Sequence, residues 1–210
     1  MINSELTSAF RAISNSFKLW WDDWANQVVV SLMAVLLSLT IVLIPASLMG
    51  LYYETNQLIN GTKSGFIGFW NGFKSQFLKS LIWGVVSFAG IFFTVINLWF
   101  YISVNETWSY LLAGFILILS SIFFLMQYYS LGFFTMSADN SLIGAWKKSL
   151  ALITAHPLHG IVIGIVALFL SILTIALVLP LLLGLMPLMS LISLSSIRSI
   201  QPQENQIINH

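Results

Sequence analysis

Glu54 is the residue of this chain best placed to do chemistry. It lies at the end of an uncharged stretch, with Asn56 and Gln57 close behind it. An ionisable side chain within a membrane helix is a candidate functional site by default. We therefore predict that Glu54, Asn56 and Gln57 line a path for an ion or a polar ligand. The alternative is that residue 54 already reaches the lipid headgroups, where a carboxylate needs no functional explanation.

Two histidines are the nearest approach to a metal site. His156 and His159 are three residues apart, so they can share one face of a helix. No third ligand is apparent beside them, so they are weak candidates and we predict no metal. The other interpretation is that Pro157 begins a helix and that both histidines lie at the boundary between water and lipid.

The sequence offers little for catalysis. It has no cysteine, which excludes disulfides, thiolate metal sites and cysteine nucleophiles. A phosphate-binding loop, a His-Glu-x-x-His motif and a Gly-x-Ser-x-Gly motif are also absent. We therefore predict no catalytic residues, no cofactor and no enzymatic activity.

The composition is that of a membrane protein. Hydrophobic residues make up 58% of the chain and charged residues 7%, whereas a soluble domain has about 25% charged residues. Four uncharged runs, the shortest of 26 residues, cover residues 24–53, 80–105, 107–138 and 149–197. About 20 apolar residues suffice for a helix to cross a bilayer, and helices satisfy their own backbone groups in lipid. We therefore predict an all-α, polytopic helical bundle whose first partner is the bilayer; the net charge of +1 does not indicate nucleic acid.

The positions of the lysines and arginines bear on the number of crossings. Short cytoplasmic loops collect these residues, and a five-span arrangement leaves Arg11 and Lys18 on the side opposite to the others. Pro45 breaks a helix, so the chain can cross over residues 25–44 and return over 46–60. All eight basic residues then fall on one side. We predict about six crossings in the plasma membrane with both termini in the cytoplasm. The return helix spans only ~22 Å, so a re-entrant helix remains the alternative.

An internal similarity supports pairing these crossings into hairpins. Residues 51–70 and 127–146 align at an offset of 76 and share Tyr-Tyr and Ile-Gly-x-Trp. This alignment gives the second helices of two hairpins the same features. We expect the remaining turns at Asn105-Glu106 and between Pro180 and Pro187.

Each predicted hairpin follows a segment with apolar residues at helical spacing and basic residues on the other face. Such a pattern is typical of a helix that lies in the membrane interface. The quasi-repeats cover about 5–60, 66–135 and 141–198. They form one membrane domain over residues 1–198, followed by a polar tail at 199–210 that we expect to be disordered. Tryptophan favours the interface, and the predicted anchors are Trp20, Trp21, Trp24, Trp70 and Trp146.

Several short motifs resemble those of a known family. They are Pro45-Ala46, Leu51-Tyr52-Tyr53, Phe69-Trp70-x-x-Phe73-Lys74-x-x-Phe77 and His156-Pro157. Together they resemble the YesL-like family of bacterial integral membrane proteins, which has no assigned activity. The resemblance implies an accessory role in carbohydrate uptake beside an ABC-type solute transporter, and it supplies no catalytic residues.

We therefore expect a non-enzymatic accessory or scaffolding protein, which can also form a homo-oligomer. The alternative function is a small-solute transporter or channel with a polar path near Glu54.

Overall fold

The described part of the chain is entirely helical. The structure, a computed structural model, describes the backbone of residues 2–137, 141–176 and 184–208, and the side chains of residues 3–137, 141–174 and 184–200. Nine α-helices and one short 3-10 turn occupy these ranges, which contain no strand. The helices are α1 (Ile2–Asp22), α2 (Trp24–Ser38), α3 (Ile44–Ile59), α4 (Gly65–Ser75), α5 (Phe77–Val104), α6 (Thr107–Met136), α7 (Leu142–Ala155), α8 (Pro157–Ala176) and α9 (Leu185–Ile208). The predicted all-α class is confirmed.

Three of these helices are long and apolar enough to cross a membrane. They are α5 with 28 residues, α6 with 30 residues and the segment Pro157–Thr174 of α8. Their outward surfaces carry large apolar side chains such as Phe92 and Leu111, which are 68% and 73% exposed within the chain. In water such a surface would be unfavourable, whereas in a bilayer it faces lipid. These helices are those of a membrane protein.

Helix α1 has separate faces for lipid and for protein. The aromatic residues Phe10, Phe17 and Trp21 are more than half exposed. The residues that pack on the bundle are mostly small, namely Ser8, Ala9, Ala12 and Ser16, with Ile13 and Trp20 also packed against the core. A helix of a soluble protein would bury its aromatic face in the core, so this arrangement fits a helix lying in the membrane interface.

The helical path breaks before Pro45. Helix α2 ends at Ser38, a 3-10 turn covers Ile41–Leu43, and Pro45 lies at the start of α3. Proline is tolerated there because the first turn of a helix has unbonded N–H groups. Helix α5 packs closely on this point, since a Cβ atom on Gly84 would overlap the Pro45 ring. The proline that the sequence predicts as a break is therefore also a packing site.

The chain between α5 and α6 turns at Asn105 and Glu106. Asn105 adopts a left-handed conformation with φ 56°, which Asn tolerates better than most residues. Glu106 and Ser109 then form a reciprocal capping box at the start of α6. The third predicted turn, at 180–187, begins outside the described residues, and Pro187 lies within α9. Helix α9 continues to Ile208, over most of the stretch 199–210 where the sequence predicts a polar disordered tail.

The two Tyr-Tyr pairs of the internal similarity meet in the core. The Tyr52 hydroxyl donates to the Tyr128 carbonyl oxygen at 3.0 Å. The Tyr128 hydroxyl donates in turn to the Met189 carbonyl oxygen at 2.6 Å, and Tyr129 is fully buried. Helices α3, α6 and α9 are therefore joined at the point where α3 and α6 carry their shared motif.

Candidate functional site

Glu54 belongs to a buried chain of polar side chains that joins α2 to α3. The Gln27 side-chain Nε2 donates to Glu54 Oε1 at 3.1 Å and to Asp23 Oδ2 at 3.4 Å. Asp23 also accepts from Asn26 Nδ2 at 2.9 Å and lies 3.6 Å from the Lys63 ammonium. A single amide thus bridges two carboxyl groups, and one of these has a lysine as its counter-ion.

Two atoms at the centre of this chain are buried without a hydrogen-bond partner in the described residues. They are Gln27 Oε1 and Glu54 Oε2, the second atoms of the two groups that already share one bond. Both side chains are fully buried, and a buried acceptor without a donor is costly. A proton on Glu54 would give the pair a second donor beside the Gln27 amide. The arrangement can therefore hold a proton.

The other two residues of the predicted path do not join Glu54. Asn56 lies roughly 200° around α3 from Glu54. Its Nδ2 donates to the Thr135 carbonyl oxygen at 3.2 Å, and its Oδ1 accepts from Arg198 at 3.0 Å. The Gln57 carbonyl accepts from the Thr62 N–H at 2.9 Å, closing the turn after α3. The structure therefore brings Glu54 together with Gln27 and Asp23, which the sequence did not connect to Glu54.

His159 is a buried junction between helices. Its Nδ1 lies 2.9 Å from Ser8 Oγ on α1, and its Nε2 lies 2.6 Å from Ser196 Oγ on α9. Ser196 is also within 3.2 Å of the Tyr129 hydroxyl on α6. A serine beside a histidine is the pairing of a nucleophile and its base. Here, however, the second ring nitrogen meets a hydroxyl instead of an orienting carboxylate, and Ser196 is fully buried. The geometry favours a structural tie.

Glu5 contacts both His156 and His159, but it meets the ring of the first and the backbone of the second. Glu5 Oε1 lies 3.7 Å from His156 Nδ1, and Glu5 Oε2 accepts from the backbone N–H of His159 at 3.4 Å. The Glu5 carboxylate of α1 thus lies at the first turn of α8. This position is favourable because the carboxylate meets unbonded N–H groups and the positive end of the helix dipole. Within the described residues, no three metal-ligating side chains converge.

A large apolar cavity lies between α3, α5, α6, α8 and α9. Its volume is about 840 Å³, and most of its walls consist of leucine, isoleucine, methionine and aromatic residues. Gln127 on α6 lines this cavity and is 4% exposed. Its Oε1 accepts from Trp146 Nε1 at 3.1 Å, but its Nε2 has no partner in the described chain. The cavity can hold an apolar chain that presents a carbonyl oxygen to this amide.

The predicted tryptophan anchors divide into two groups. Trp21 and Trp24 are 63% and 57% exposed, as an interfacial anchor requires. Trp20 turns inward and donates to the Gly184 carbonyl oxygen at 2.9 Å. Trp70 stacks on its own helix, with Lys74 over its ring at 4.9 Å. Trp146 is half-buried and donates to Gln127, as described above.

No protein-family model, curated protein or solved structure matches this chain. The functional interpretation therefore rests on the geometry and on the sequence.

Proposed function

We propose that this protein is a non-enzymatic accessory or scaffolding protein of the plasma membrane. It has six membrane crossings in three hairpins, with both termini in the cytoplasm. One observation carries the proposal: most of the apolar surface of α5 and α6 is not buried by the rest of the described chain. In α5 only Ser80, Trp83 and Gly84 are buried, all near its start. The remaining surface is available to lipid or to the membrane helices of a partner.

Contacts near both ends of α2 and α3 support the first hairpin. Ser38 Oγ lies 2.9 Å from Ser47 Oγ beside the break, and Gln27 donates to Glu54 at the far ends of the same helices. This order of contacts is that of an antiparallel pair. It supports a chain that returns toward the side on which it started, with Arg11 and Lys18 on the same side as the other basic residues.

Similar contacts support the second hairpin. Thr94 Oγ1 on α5 lies 2.9 Å from Ser120 Oγ on α6. Nearer the turn, the Tyr101 and Trp108 rings meet edge to face at 6.4 Å. Hydroxyl pairs between apolar helices satisfy polar groups that lipid cannot.

The partner we propose is an ABC-type solute transporter, and the process is carbohydrate uptake. This part of the proposal is supported by the resemblance of Leu51-Tyr52-Tyr53 and the Phe69–Phe77 motif to the YesL-like family.

Site-specific photo-crosslinking in cells tests the partner. A photoreactive residue replaces Phe93 on α5 or Leu117 on α6, which are 66% and 56% exposed. Phe10 on α1 is the matched control, since it is 65% exposed but belongs to the interfacial helix. We expect crosslinks to a transporter permease subunit from α5 and α6 and none from α1. Crosslinks only to lipid, or only to a second copy of this chain, would contradict the transporter partnership.

A small-solute transporter is the second candidate function. It is favoured by the unpartnered oxygens of Gln27 and Glu54, which lie within the helical bundle. Replacing Glu54 by Gln keeps the shape of the side chain and removes its charge. Loss of proton-coupled or cation-coupled uptake in proteoliposomes would support this function, and unchanged uptake would remove its main support.

A further inference from the structure

A second cavity, of about 740 Å³, is a polar groove between α1 and α9. Two arginines line it, Arg11 from α1 and Arg198 from α9. The side chains of Asn15 and Ser195 add further donors to its walls, while the hydroxyls of Thr7 and Ser199 donate to backbone carbonyls of their own helices. None of the described residues that line the groove is acidic. The groove therefore concentrates positive charge beside neutral hydrogen-bond donors.

The groove lies along the polar face of α1. Thr7, Arg11 and Asn15 follow each other at intervals of four, so they share one face of the helix. Phe10 and Phe17 lie roughly a third of a turn away from this face, on the side exposed to lipid. A ligand can therefore approach the arginines from water or from the adjacent headgroup layer.

The two arginines differ in their hydrogen-bond partners, but both have guanidinium N–H groups that are available to a ligand. Arg198 is half-buried, and its Nη2 donates to Asn56 Oδ1 at 3.0 Å and to Asn60 Oδ1 at 2.7 Å. Both partners are uncharged, so they orient the guanidinium without neutralising it. Arg11 is exposed and makes no hydrogen bond or ion pair within the described chain. The carboxylate of Glu5 on α1 contacts instead the His156 ring, just before α8, and the backbone N–H of His159 in α8.

We propose that this groove binds a phosphate group through Arg11 and Arg198. A guanidinium offers a planar fork that matches two phosphate oxygens, and arginine stays charged at every physiological pH. Ser195 and Asn15 donate to the remaining oxygens. The phosphate is carried either by a soluble ester or by the headgroup of an anionic phospholipid. This binding site is independent of the proposed scaffolding function.

Ligand binding to the purified protein in nanodiscs of zwitterionic phosphatidylcholine tests the proposal. One arm titrates inorganic pyrophosphate, and the other replaces part of the lipid by phosphatidylglycerol and measures the change in melting temperature. We expect binding in at least one arm, and the responding arm identifies the source of the phosphate. Absence of a response in both arms would overturn the proposal.

Matched variants assign the binding to the groove. Arg11→Gln removes a charge that makes no contact within the described chain, so we expect the fold to persist and the affinity to fall about tenfold or more. Lys18→Gln removes a charge from the same polar face of α1, but Lys18 does not line the groove. We expect this control to bind as the wild type does. An equal loss in both variants would indicate general surface attraction and would contradict a built site.

Arg198→Lys provides a second test within the groove. Lysine keeps the positive charge but loses the planar fork. We expect weaker binding than in the wild type at an unchanged circular dichroism spectrum. Wild-type affinity in both Arg198→Lys and Arg11→Gln would overturn the roles assigned to these residues.

Discussion

Replacing Glu54 by alanine or by glutamine separates its contribution as a hydrogen-bond partner from its charge. Alanine removes the acceptor of the Gln27 amide, which then keeps only the 3.4 Å contact with Asp23. Loss of one buried hydrogen bond costs about 1–3 kcal/mol, and the space left by the side chain adds a similar amount, so we expect about 3 kcal/mol in total. Glutamine keeps an oxygen for Gln27 Nε2 and adds an amide that can donate to the unpartnered Gln27 Oε1. We therefore expect the free energy of unfolding of Glu54→Gln to lie within about 1 kcal/mol of the wild-type value, or above it.

Thermal unfolding in a mild neutral detergent, followed by tryptophan fluorescence, measures both variants. For a chain of this size, 3 kcal/mol corresponds to a decrease in Tm of about 6–12 °C. Gln57→Ala is the control, since Gln57 is half-buried on the same helix and outside this chain of contacts. An equal decrease in Tm for Glu54→Ala and Glu54→Gln would show that the charge matters and the bridging amide does not. An unchanged Tm in Glu54→Ala would refute the role of Glu54 in joining α2 to α3.

Two further pairs of variants test the packing of the bundle by Tm. Gly164→Leu should lower Tm by several degrees, because a Cβ there would already lie 2.6 Å from Leu125 on α6, whereas Gly114→Leu should leave Tm unchanged, because Gly114 is exposed and has open space where a Cβ would lie. Equal effects would contradict this packing of α8. Trp20→Phe should destabilise by about 1 kcal/mol, since the buried Gly184 carbonyl loses its shorter hydrogen bond and keeps only the 3.4 Å contact with the Leu188 N–H, whereas Trp21→Phe, at an exposed position, should have little effect on stability. The reverse order would mean that Trp20 is the lipid anchor.

Local features of the fold are predictable from the sequence because they depend on neighbouring residues. The length of the uncharged runs predicts α5 and α6, and Pro45 predicts the break before α3. The apolar spacing around Trp70 and Trp146 predicts the short helices α4 and α7. Each of these signals acts within one or two helical turns.

The packing partners are not predictable in the same way. The spacing of Phe10 and Phe17 marks one face of α1, but the face that packs on the bundle consists mostly of small residues, as is common between membrane helices, together with Ile13 and Trp20. Because large apolar residues lie on both faces, a periodicity based on them does not identify the protein-facing side.

The candidate sites depend on contacts between distant parts of the chain. Gln27 and Glu54 are 27 residues apart, and Ser8 and His159 are 151 residues apart. No local pattern marks Gln27, Ser8 or Gln127, since an amide or hydroxyl in an apolar run has many roles. The sequence identified Glu54 from its charge but could not identify the residues that surround it.

Accessibility labelling of single cysteines tests the proposed three-hairpin topology most directly, because the native chain has no cysteine. Thr40→Cys, Glu106→Cys, Thr62→Cys and Asn3→Cys place the probe at exposed positions. In intact cells, a membrane-impermeant maleimide should label positions 40 and 106, and it should label positions 62 and 3 only after permeabilisation. Labelling of position 3 in intact cells, with position 40 protected, would contradict six crossings and would favour the five-span arrangement.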